Sequence, residues 1–176
     1  MHVKAKRIAV LGLLLAIAVI MIVLSGTIEM STLFFLAGAS FCVGIAIREY
    51  GLQMGIAFLI ASVILGFLLA PNKIYCITYS IMALYILLSE MVWVWVSKSQ
   101  SLKNPLKVFS ILKYVIFNIL YIPFILIAPK LVYQGDISIW IFVAIIAGGQ
   151  LGLFLFDKVY CYFQSQIWGK FRKNLN

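Results

Sequence analysis

The chain has 176 residues, of which 65% are hydrophobic and only 11% charged, with a mean hydropathy of +1.12. A soluble domain carries roughly 45–50% apolar and about 25% charged residues, and one of this size leaves too much of its chain exposed to hide such a surplus. Lipid is therefore the expected solvent, and the net charge of +9 reads as attraction to anionic headgroups rather than to nucleic acid.

The chain opens with Lys4, Lys6 and Arg7, then an apolar run from Ile8 to Leu24. Seventeen residues exceed a typical 7–15-residue signal core, and no A-x-A cleavage site follows. An uncleaved first membrane helix is expected. A second run covers 32–47 and stops at Arg48-Glu49, and a third covers 52–70, closed by Pro71-Asn72-Lys73. The fourth, 74–96, ends in Trp93-Val94-Trp95. After the polar stretch from Ser97 to Lys107, a fifth run covers about 108–130, a Gln134-Gly135-Asp136 turn follows, and a sixth covers 137–156. The fold class expected is an all-α integral membrane protein, a compact bundle of about six transmembrane helices over residues 1–157.

Basic residues set the expected orientation. With the N-terminus inside, Lys4, Lys6, Arg7, Arg48, Lys98, Lys103, Lys107, Lys113, Lys158, Lys170, Arg172 and Lys173 fall on the cytoplasmic side. Only Lys73 and Lys130 fall outside. Twelve against two places both ends in the cytoplasm. The tail, 158–176, is basic and carries Tyr160, Phe163, Ile167 and Phe171 at spacings of three and four. It reads as an extension of the sixth helix or as an interfacial amphipathic helix, with anchoring favoured over partner docking.

Small residues mark where helices approach closely: Gly12-xxx-Ala16, Gly51-xxx-Gly55, Ser62-xxx-Gly66-xxx-Ala70 and Ala144-xxx-Gly148-xxx-Gly152. In lipid such faces permit tight van der Waals packing. Cys42, Cys76 and Cys161 lie far apart without metal-ligand spacing and read as packing residues.

An ionisable group inside a membrane helix costs about 2.5–3.5 kcal/mol at its centre and so calls for a reason. Glu90 lies seven residues inside the cytoplasmic end of the fourth run, and Lys113 at similar depth in the fifth, so the two are expected to form a buried structural ion pair. A second polar set gathers toward the other leaflet: Glu29, Tyr75, Tyr79, Asn118, Tyr121 (followed by Pro123) and Trp140. These are candidate contacts for a small ligand, although an aromatic belt would place Tyr and Trp there too. Gln150 is expected to make an interhelical hydrogen bond. The only histidine is His2, and no metalloprotease, phosphate-loop or paired-aspartate motif occurs. No catalytic residue, metal or cofactor is expected, and no enzyme activity.

The opening KRIAVLGLLLAIAV, with Ala5, Ala9, Gly12 and Ala16, is similar to the alanine-rich first helix of the substrate-binding S components of energy-coupling factor transporters. Arg48-Glu49-Tyr50-Gly51-xxx-Gly55 resembles the inner turn common in that family. The resemblance covers layout over most of the chain. It implies a multi-pass protein of the bacterial cytoplasmic membrane that captures a vitamin-like molecule and works with a transmembrane coupling subunit and paired ATPases. Ala9, Gly12 and Ala16 would meet that subunit. The competing expectations are a non-transporting scaffold of the rod-shape-determining type and, third, an intramembrane enzyme built around Glu90.

Overall fold

A computed structural model describes residues 2–28, 31–99, 104–127 and 138–170. Six helices account for nearly all of them: α1 (His2–Ser25), α2 (Thr32–Tyr50), α3 (Leu52–Leu69), α4 (Lys73–Lys98), α5 (Pro105–Ile127) and α6 (Ile139–Tyr162). All six are long and apolar enough to cross a membrane. Only a helix satisfies every backbone N–H and C=O within one apolar segment, so such runs fold this way in lipid. Each helix overlies one of the six apolar runs, and all but α3 (Leu52–Leu69) extend beyond it at one or both ends.

The extensions have simple causes. Arg48-Glu49 ends an apolar run but not a helix, and α2 continues until Gly51, whose φ of 87° only glycine adopts without strain. The Gly51 N–H still donates to the Ile47 carbonyl (2.8 Å), and α3 starts at the next residue. Asp157-Lys158 likewise does not interrupt α6, which runs to Tyr162 and passes into a π-helical stretch, Phe163–Trp168. α5 begins earlier than its apolar run because Pro105 suits a first helical turn, where its missing N–H has no partner to lose. It also runs through Pro123 to Ile127.

The chain divides into two compact units, 1–113 and 114–176, where the apolar pattern suggests one bundle. In the first, α2 packs against α1, α3 and α4, and α3 also touches α1 and α4. From Ala39 to Ile47 every residue of α2 is buried, as befits a helix covered on all sides. Its turns are tied tightly. Thr32 donates from its hydroxyl to the Ser25 carbonyl (3.0 Å), joining the start of α2 to the end of α1. Asn72 caps α4 by accepting from the Ile74 N–H (3.0 Å). Lys73 donates to the Phe67 and Ala70 carbonyls, placing a cation on the negative end of α3.

Glycines set how near the helices come. A Cβ on Gly55 would collide with the Ile47 side chain, so only glycine lets α3 lie this close to α2. In the second unit, a Cβ on Gly149 of α6 would fall inside the Tyr121 ring of α5.

Candidate functional site

The spans carry few polar side chains, and most hydroxyls bond their own helix. Ser25, Ser40 and Ser62 donate to the carbonyl three residues back, and Ser80 to that of Cys76, at 2.7–2.9 Å. Where a polar group crosses between helices, it does so at a defined junction.

The first junction is ionic. Glu90 of α4 is 4% exposed, and Oε1 accepts from both Nε (2.9 Å) and Nη2 (2.6 Å) of Arg48. Arg48 stands in the last turn of α2, where a cation meets the negative helix end, and 42% of its side-chain surface stays exposed. The arginine thus reaches from the boundary of the bundle to a carboxylate inside it. Lys113, the partner assigned to Glu90 from sequence, is 9% exposed and holds its ammonium 4.9 Å from the Phe109 ring centroid. Phe109 in turn packs on Trp93 of α4, ring centroids 5.0 Å apart. Arg48 was missed because it ends an apolar run and reads as a loop charge. The signal was available, since the alternation of spans puts Arg48 and Glu90 at the same end of the bundle.

At the same end, Arg7 of α1 donates to the Tyr50 carbonyl (2.6 Å), with its guanidinium 5.1 Å from the Tyr50 ring centroid. Its Nε is buried without a hydrogen bond, as is the Ser89 hydroxyl beside Glu90.

The second junction lies in the core of the four-helix unit. Tyr79 is fully buried, and its hydroxyl shares a 2.7 Å hydrogen bond with Ser62 of α3. Of the candidate ligand contacts, Tyr79 is therefore a core residue. Tyr75, one turn away, is half-buried.

The third junction holds α5 to α6. Asn118 donates to its own helix at the Tyr114 carbonyl (2.8 Å) and accepts from Gln150 (2.7 Å), the interhelical bond expected of that glutamine. Tyr121 stacks on Phe117 and donates to the Ile145 carbonyl (2.9 Å). Trp140 is 80% exposed. Glu29 lies outside the described residues, as do Lys103, Lys130, the Gln134-Gly135-Asp136 turn and Phe171, Arg172 and Lys173. Tyr75 and Tyr79 belong to one unit, and Asn118, Tyr121 and Trp140 to the other. The candidate ligand residues are thus split between two units, and three of them have their polar atoms bonded to neighbouring helices.

The small-residue faces divide in two. Gly55, Ser62, Gly66 and Ala70 are buried between helices. Ala9, Gly12 and Ala16 of α1 are exposed, and a Cβ on Gly12 would meet nothing within 4 Å. Ala144, Gly148 and Gly152 of α6 are likewise exposed. Among the described residues, no three His, Cys, Asp or Glu side chains cluster to hold a metal. No protein-family model, curated protein or solved structure matches this chain.

Proposed function

We propose that this chain is a non-enzymatic membrane subunit that docks on a partner membrane protein through the small-residue face of α1. The observation that carries the reading is the outward set of Ala9, Gly12 and Ala16. Small residues cost helix contact area wherever lipid is the only neighbour, and they allow close backbone approach where a second helix arrives. α1 packs on its own bundle with Leu14, Ala18, Val19 and Ile22, so the Gly12 side is a separate surface.

In its specific form the reading is a substrate-binding subunit for uptake of a vitamin-like molecule, with α1 meeting a transmembrane coupling subunit driven by paired ATPases. Both ends lie in the cytoplasm by the basic-residue count, and the membrane is the bacterial cytoplasmic membrane. Accessibility of tags on the two ends in intact cells tests the orientation. Both tags are expected to stay protected from an impermeant reagent, and labelling of either one would overturn the orientation.

A second reading, the non-transporting envelope scaffold, draws support from the way Tyr79, Asn118 and Tyr121 spend their polar atoms on other helices. The deciding experiment is purification in mild detergent followed by ligand screening. The uptake reading expects an ATPase pair to co-purify and a vitamin-like compound to raise thermal stability by a few kcal/mol at saturation. Recovery with wall-synthesis proteins and no ligand shift would replace it with the scaffold.

A further inference from the structure

At the end of the four-helix unit where α1 starts, α2 ends and α3 begins, two guanidinium groups are held in place by different means. Arg48 is fixed by two hydrogen bonds to the buried Glu90, which occupy its inner edge and leave 42% of the side chain exposed. Arg7 is fixed by the Tyr50 carbonyl and lies against the Tyr50 ring. Arg48 and Tyr50 share the last turn of α2, so each guanidinium is held at that helix end, Arg48 from the side of α4 and Arg7 from α1. A fixed guanidinium loses little freedom on binding and presents paired donors matched to phosphate oxygens.

The backbone adds donors at the same place. Gly51 lies between α2 and α3, and no side chain caps the first N–H groups of α3. Gly51 is exposed, and a Cβ there would meet nothing within 4 Å, so the approach to those N–H groups is open. Arg7 covers the last carbonyl of α2, which weakens the negative helix end that would otherwise repel an anion. The Arg7 Nε is buried and makes no hydrogen bond within the protein. Two carboxylates share this end, Glu49 and Glu90, and Lys6, Arg7, Arg48 and Lys98 outnumber them.

We propose that Arg7, Arg48 and the start of α3 form a binding site for the phosphate of an anionic phospholipid headgroup. The site stands where membrane-spanning helices end, which is the level of headgroup phosphates, and the apolar flanks of α1 and α3 offer acyl chains a surface. Ile8, Leu13, Ile56 and Ile60 are exposed on those helices.

The test is native mass spectrometry of the full chain released from detergent micelles, with phosphatidylglycerol and phosphatidylcholine of matched acyl chains added in turn. Phosphatidylglycerol is expected to be retained in preference. Arg7→Gln is expected to weaken that retention about tenfold, the loss of one charge-assisted contact. Lys170→Gln, at the far end of the α6 extension, is expected to leave it unchanged. The paired variant Arg48→Gln with Glu90→Gln removes the second guanidinium without stranding a buried carboxylate, and should weaken retention again. Equal retention of the two lipids, or unchanged retention in Arg7→Gln, would overturn the proposal. Displacement of the lipid by millimolar inorganic phosphate would reassign the site to free phosphate.

Discussion

The four-helix unit and the α5–α6 unit use the same few residue types to different ends. In the first, just over half of α2 is buried, and the small residues of α3 face neighbouring helices. In the second, few residues of α5 and α6 are buried, and the two helices meet through Tyr121 against Gly149 and the Asn118–Gln150 bond. Apolar packing cannot by itself distinguish a helix neighbour from lipid, because lipid tails are as apolar as leucine. What separates the units is where close approach and hydrogen bonds occur.

The largest effect expected belongs to the ion pair of the first unit. Arg48→Ala takes two hydrogen bonds from the buried Glu90 and should cost about 3–5 kcal/mol, measured by thermal or denaturant unfolding in micelles. Glu90→Gln should cost far less, because the half-exposed Arg48 can turn toward water. Equal losses in the two variants would show that Glu90 is less isolated than its burial implies. A double-mutant cycle between Glu90→Gln and Lys113→Met then measures how much of the carboxylate's attachment lies with the lysine. Absence of coupling would end that pairing.

Gly55→Ala comes next, at about 1–3 kcal/mol, because its Cβ and the buried Ile47 cannot both keep their places. Wild-type stability in this variant would mean that α2 and α3 separate without loss. Tyr79→Phe should cost roughly 0.6 kcal/mol, a usual value for a membrane interhelical hydrogen bond. The loss stays small because Ser62 keeps its bond to the Leu59 carbonyl. Gln150→Leu should cost a similar roughly 0.6 kcal/mol, but cross-linking between α5 and α6 should loosen more than any within the four-helix unit. Equal loosening in both units would erase the contrast drawn between them. The smallest effect is Gly12→Ala, within about 0.5 kcal/mol of the parent, since the new methyl enters open space.

The helices were legible because an apolar run of spanning length has one main backbone solution in lipid. Their ends were less so. Charges at Arg48-Glu49 and Asp157-Lys158 mark where apolar composition stops, whereas the backbone stops only where geometry changes, as at Gly51. The Gln150 contact followed from one rule, that an amide in a span needs a partner. Tyr79 and Asn118 obey the same rule, yet their polarity suggested a ligand, because sequence gives a polar group's cost and not the identity of its partner. Small-residue faces showed the same limit. Gly55 and Gly12 sit in like patterns, and only the fold reveals that one faces inward and the other outward.

That last pair provides the most direct test of the account, through Gly12→Leu and Gly55→Leu compared in the same preparation. If α1 docks a membrane partner as proposed, Gly12→Leu keeps the parent's melting temperature and loses that partner on purification, while Gly55→Leu unfolds. A Gly12→Leu protein that keeps the partner at the parent's level would contradict docking through α1.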